Sequence, residues 1–170
     1  MLKQSISRVL TAIFSLIIAC TDNERKEQYT LTPDNSSDII EIIREHSSPS
    51  LPFHLLLAIA VKESNLQPNA INPKTGCSGL FQINPCNFEY LNLADPFDPS
   101  ENTRAACALL YQYNKMFKRD VPLMLASFNA GPSVVKRYNG IPRYAETQQY
   151  VADVIALSEN FRLKIEAGEF

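Results

Sequence analysis

Leu55-Leu56-Leu57-Ala58-Ile59-Ala60-Val61 is apolar without a break, and Lys62, Glu63 and Ser64 follow at once. A helix with no polar side belongs inside a protein, so this run sets the centre around which the other elements must pack. It is far too short to cross a membrane. A carboxylate at the C-terminal end of such a helix faces the negative end of the helix dipole and loses part of its hydration. Both effects favour the protonated form. A glutamate that keeps its proton near neutral pH is a candidate general acid. Taken alone, though, Glu63 fits more often as the first solvated residue beyond a core helix.

The flanking sequence predicts a mainly α domain, α+β at most. Ser36 or Ser37 caps a helix with Ile39, Ile42 and Ile43 on one face, ending near His46. Pro52 suits the first turn of the buried helix. Beyond Glu63 a polar loop with Asn65, Pro68, Asn69, Asn72, Pro73 and Gly76 leads to the compact turn Gly79-Leu80-Phe81-Gln82-Ile83. Asn84 to Pro99 is broken by three prolines and reads as irregular. Further helices are expected from Ser100 to about Phe117, from Pro122 through Phe128, from Ser133 to Tyr138, and from about Tyr144 onward. The first of these puts Ala106, Leu109, Leu110, Tyr113 and Phe117 inward. Gly131-Pro132 ends the second. No stretch alternates convincingly enough for a strand.

At 170 residues the chain suits one domain behind a leader. A net charge of −2 and a pI near 5.7 leave no electrostatic footprint for nucleic acid. His46 and His54 stand in no metal-ligand cluster, and no phosphate-cradling glycine loop occurs, so neither metal nor cofactor is expected. Lys3 and Arg8 precede an apolar run from Val9 to Ala19, the pattern of an export signal. Its end, Leu16-Ile17-Ile18-Ala19-Cys20, resembles a bacterial lipobox, which implies lipidation of Cys20 and a membrane anchor; Thr21 behind it leans towards the periplasmic side of the outer membrane. The expected organisation is a signal peptide over 1–19, a flexible tether over 20–35, and one domain over 36–170. Export places Cys77, Cys86 and Cys107 in an oxidising compartment, where an odd number allows one internal bridge at most. Cys77 and Cys86 bracket the Gly79–Ile83 turn and are the favoured pair, with Cys107 an open alternative partner for either.

Glu63-Ser64, Gly79–Ile83, Asn129-Ala130-Gly131-Pro132, and Glu146-Thr147 with Tyr150 occur in this order. Together they resemble the lysozyme-like catalytic domain of lytic transglycosylases of the soluble-transglycosylase (SLT) type, over roughly Pro49 to Ala156. The resemblance implies a helical domain with a substrate cleft that binds peptidoglycan glycan strands. It implies cleavage of the MurNAc-β-1,4-GlcNAc bond with formation of a 1,6-anhydromuramic end. Glu63 matches the single catalytic acid. Ser64, Gly79, Gln82, Asn129, Glu146 and Tyr150 match substrate-binding or supporting positions, with Gly79 turning the backbone close beside the glycan. The same family includes proteins that open the wall for a secretion or conjugation machine.

Two positions depart from the family pattern. Phe128 replaces a tyrosine before the Asn-Ala-Gly motif, so a hydroxyl able to bond the catalytic carboxyl is expected to be missing. Phe81 replaces a smaller apolar residue and is expected to narrow the cleft. Two other functions compete. A goose-type-like lysozyme would need Asp95 or Asp98 to hold a hydrolytic water, and a peptidoglycan-binding scaffold would need no acid at all.

Overall fold

The computed structural model describes residues 33–169. The expected signal peptide, Cys20 and nearly all of the tether lie outside the described residues. Helix α1 spans Pro33–Glu45 and α2 Phe53–Ser64. After a long loop come a 3-10 turn at Pro85–Asn87 and the short α3, Phe88–Leu91. Then follow α4 (Pro99–Met116), α5 (Val121–Ala130), α6 (Pro132–Tyr138) and α7 (Ala145–Glu166). Among the described residues β-structure is confined to isolated bridges, so the domain is mainly α.

Helix α2 is the axis. Leu55 to Ala60 are all buried, as an unbroken apolar run requires. The helix stops where Asn65 turns left-handed (φ 53°) and its N–H closes onto the carbonyls of Ala60 and Val61. Helix α7 lies against it, running the other way. The order of their polar contacts shows this: Ser158 meets His54 (2.8 Å), Asp153 meets Lys62 (2.5 Å), and Tyr150 meets Glu63 (2.6 Å). Residue numbers fall on one helix as they rise on the other.

Two helix starts follow a shared device. Asp98 accepts a bond from the N–H of Glu101 (2.7 Å) and Asp120 one from Leu123 (2.9 Å), each just ahead of a proline in the first turn. Ala106, Leu109, Leu110 and Tyr113 of α4 are buried as expected. Gly131 (φ 89°) caps the end of α5 and opens α6 at the same residue. The first helix differs from expectation. It begins at Pro33, ahead of Ser36 and Ser37, because proline at the first position is itself a start signal. Ile40 joins Ile39 and Ile43 in the core while Ile42 is half-buried.

The Gly79–Ile83 turn is tied down by one buried side chain that lies elsewhere in the sequence. Ser78 and Ile83 pair backbone to backbone (3.1 and 3.0 Å). Asn102 of α4, fully buried, donates to the carbonyls of Ser78 (3.1 Å) and Pro96 (2.8 Å) and accepts from the N–H of Phe81 (2.8 Å). One amide thereby ties three backbone groups together, two of which, Phe81 N–H and Pro96 O, have no other bond among the described residues, while Ser78 O also accepts from Ile83.

Candidate active site

Glu63 sits in the last turn of α2, at the floor of a cleft of about 550 Å³. The Tyr150 hydroxyl donates to its Oε1 across 2.6 Å. Burial pushes the Glu63 carboxyl up from 4.5 to about 7, while the Tyr150 hydrogen bond and the Lys62 charge act in the opposite direction. Burial therefore dominates, as the position of Glu63 at the end of a core helix suggested. Tyr150 is itself raised well above its ordinary value, by burial first and then by the charge of Glu63. Its hydroxyl keeps its proton and remains a donor.

The cleft walls are rich in side-chain amides: Asn72, Gln82, Asn84, Asn87 and Asn129 all face it. Amides offer both donors and acceptors, which suits a ligand covered with hydroxyl and acetamido groups. Asn129 Oδ1 accepts from Thr147 Oγ1 (2.8 Å), so the last turn of α5 is oriented by the first turn of α7. Ala130 and Gly131 leave the adjoining wall low. Glu146 is exposed and borders the same space, as do Phe128, Cys77 and Cys86.

Residues 41–151, more than half of the chain, match the family described as the transglycosylase SLT domain. The chain belongs to this family. Among curated relatives, the membrane-bound lytic murein transglycosylase F of Yersinia pestis is 28% identical over 104 residues, 58% of this chain and 21% of the relative. The solved 70 kDa soluble lytic transglycosylase of Escherichia coli superposes with a TM-score of 0.65 at 25% identity. It covers 74% of this chain and 24% of its own. An inactive mutant of the lytic transglycosylase Slt from Pseudomonas aeruginosa has the same TM-score at 23% identity, covering 78% and 24%. The chain thus spans about a fifth of the length of the curated relatives it matches.

Within this SLT domain the structure reassigns several residues. Ser64 does not face the cleft. Its hydroxyl donates to Leu80 O (2.7 Å) and Ala60 O (3.3 Å) and accepts from Gln67 N (3.1 Å), so it joins the end of α2 to the Gly79–Ile83 turn. Gly79 also lies behind the cleft wall. A Cβ there would stand 2.1 Å from Pro96 O and 2.2 Å from Asn102 Nδ2, so the close neighbour is the protein itself. Gln82 does line the cleft, but its amide nitrogen donates to Ala70 O (3.0 Å) and Gly79 O (2.9 Å) and shapes the loop. Tyr150 is buried beneath Glu63 and touches the acid, away from the open cleft.

The readings of the two phenylalanines change as well. Phe81 is fully buried in the core and narrows nothing, because Asn102 holds its backbone with the side chain turned inward. Phe128 does line the cleft, but Glu63 does not lack a hydroxyl partner, since Tyr150 supplies one from α7. Asp95 accepts from the N–H of Phe97 (2.8 Å) and Asp98 caps α4, and neither lines the cleft. The water-holding role considered for them is lost.

The favoured Cys77–Cys86 bridge is absent; Cys77, Cys86 and Cys107 are all free thiols. Cys86 lies inside the 3-10 turn Pro85–Asn87, where its N–H is held by the side chain of Asn84 (3.0 Å), while Cys77 sits in the loop before the Ser78–Ile83 bridge. The thiol of Cys107 lies 3.8 Å from the carbonyl of His46. Sequence reasoning missed Asn102, which supports the site without touching the cleft and stands in no motif. Thr147 stands in the Glu146-Thr147 motif, but its bond to Asn129 was not foreseen, because the motif does not say what the hydroxyl touches.

Proposed function

We propose that this chain is a peptidoglycan lytic transglycosylase that cleaves the MurNAc-β-1,4-GlcNAc bond and leaves a 1,6-anhydromuramic end. One observation carries the reading: the Glu63 carboxyl, raised to about 7 by burial, is presented by a neutral tyrosine at the floor of an amide-lined cleft in an SLT domain. Glu63 protonates the glycosidic oxygen as positive charge develops on the muramic ring. Its carboxylate then removes the proton from the muramic 6-hydroxyl, which closes the anhydro ring in place of water. The substrate supplies its own nucleophile, and its acetamido group helps to stabilise the cation. The amides of Asn129 and its neighbours orient the sugars.

The relatives from Yersinia pestis and Escherichia coli are lytic transglycosylases, which supports this assignment. The signal-like N-terminus and Cys20 extend it to a lipid-anchored protein on the periplasmic side of the outer membrane. Cys20→Ser is expected to move the protein from the membrane to the soluble fraction, read by fractionation; a variant still wholly in the membrane fraction removes the anchor.

A hydrolase is the second reading, because Glu146 is another carboxylate bordering the cleft. Mass spectrometry of muropeptides released from purified peptidoglycan decides between them. Anhydro ends, one water lighter than reducing ends, are expected from the wild type and not from Glu63→Gln. Reducing ends would make Glu146 the water-holding base, and intact peptidoglycan would leave only a binding role.

The pH dependence follows from the sign of each shift. A general acid works below its pKa, so cleavage should fall as pH rises through about 7. The Tyr150 bond lowers that value, so Tyr150→Phe should move the alkaline limb upward while cutting the rate by roughly tenfold through lost orientation. A pH–rate profile checks both; an alkaline limb that moves down contradicts the assigned role of the hydroxyl.

A further inference from the structure

The neighbour of the acid is also engaged. Lys62 Nζ and Asp153 Oδ2 stand 2.5 Å apart, and Asp153 Oδ1 accepts from Gln149 Nε2 at 2.7 Å. On α2, Lys62 immediately precedes Glu63. On α7, Asp153 lies three residues beyond Tyr150 and Gln149 one residue before it, so Asp153 is about one turn from the hydroxyl that holds the acid. The ion pair and the Tyr150–Glu63 bond are therefore adjacent cross-links between the same two helices.

We propose that Lys62 and Asp153 are a positioning pair for Glu63: they hold α7 in the register that keeps the Tyr150 hydroxyl on the carboxyl, and they set how strongly the Lys62 charge acts on the acid. This rests on the reading of Glu63 as the proton donor. The pair is neither fully buried nor fully exposed, with about a third of each side chain accessible. At such sites an ion pair adds little to global stability, yet a charge one residue from the acid still acts on it electrostatically.

The groups facing Glu63 leave Lys62 as the cation in this balance. Tyr150 of α7 bonds the acid, and Glu146 of α7, Cys77 of the long loop, Cys86 of the 3-10 turn and Tyr113 of α4 line the same cleft; none of these carries positive charge. Lys62 lowers the acid's pKa, and Asp153 counters and directs that cation. Removing each partner should therefore shift the acid in opposite directions. Asp153→Asn keeps an oxygen that can accept from Lys62 Nζ and so keeps α7 in register, but it leaves the Lys62 charge uncompensated and favours the carboxylate. Lys62→Met withdraws the cation and favours the protonated acid.

The test uses the full chain, with pH–rate profiles on purified peptidoglycan. Asp153→Asn should move the alkaline limb down by about 0.5 pH unit and Lys62→Met should move it up by about 0.5, each shrinking at high salt. Lys62→Met, which also removes the cross-link, should lose several-fold in kcat, and Lys62→Arg should leave the limb at its wild-type place. Shifts in the same direction, or slower cleavage with no shift, would overturn the proposal, because a structural contact alone has no sign. A carbon-13 NMR titration of the Glu63 carboxyl reads the same two shifts without catalysis. Opposite shifts there in a chain that leaves peptidoglycan intact would overturn the transglycosylase reading and retain the pair; coincident titrations would overturn the pair itself.

Discussion

Glu63→Gln is expected to lower peptidoglycan cleavage by about 10³-fold or more, since one group serves as both acid and base and each role contributes ~10²–10⁴-fold. The amide retains the shape and can still accept from Tyr150, so glycan binding should persist in a pull-down with insoluble peptidoglycan. Cleavage within tenfold of wild type would remove Glu63 from the mechanism. The same substitution should stabilise the fold at alkaline pH. The folded pKa of Glu63 is raised from 4.5 to about 7, so its protonated form is the one the fold favours. Stability from that proton is complete below 4.5, falls as pH rises through the interval, and is gone above about 7. The glutamine variant escapes this loss. At pH 8 it should be more stable than the wild type by roughly 1–3 kcal/mol, and at pH 4 the two should unfold together. Thermal melts at both pH values read the difference. Equal melting temperatures at pH 8 would mean that the carboxyl ionises without penalty and is not the desolvated acid described above.

Gly79→Ala should be the most damaging small substitution away from the acid. Its Cβ would fall 2.1 Å from Pro96 O and 2.2 Å from Asn102 Nδ2, on a backbone with φ 81°. Neither neighbour can yield cheaply, because Asn102 is buried and its amide already bonds Ser78, Pro96 and Phe81. Moving Asn102 would strand backbone groups in the interior, and the turn would still carry a strained conformation. A loss of about 3–5 kcal/mol is expected, combining strain and broken buried bonds, with a fall in melting temperature on the order of 10 °C. Gly140→Ala is the control: a Cβ there meets nothing within 4 Å, and the change should stay within about 0.5 kcal/mol. Similar melting temperatures for the two variants would show that the turn can relax and that the Asn102 tie is weak.

The helices were legible because their signals are local. An unbroken apolar run announces α2, and apolar spacing with Ser100 and Pro122 as start signals places α4 and α5 within a residue or two. Glu63 was legible for a related reason, since its chemistry follows from ending a buried helix and its family resemblance from short contiguous motifs. Residues in the same motifs proved harder to assign. Ser64 and Gly79 occupy recognisable positions, yet a motif reports that a residue is required without reporting what it touches. Both turned out to brace the turn from behind the cleft. Phe81 was misplaced on the wall for the same reason; its direction depends on Asn102, which follows it by 21 residues.

By itself, then, the sequence determined a buried helix ending in an acid, an amide-rich loop beside it, and a mainly helical domain. Each follows from neighbours along the chain through hydrophobic burial, capping and turn chemistry. Tertiary structure alone decided that Tyr150 donates to Glu63 across 87 positions of chain, that Lys62 pairs with Asp153, and that Cys77 and Cys86 remain apart. The physical reason is that these depend on helix register and on the path of the loop between helices. A hydrogen bond or a disulfide tolerates an error well under the 1.5 Å rise of one helical residue, and local patterns do not carry that precision.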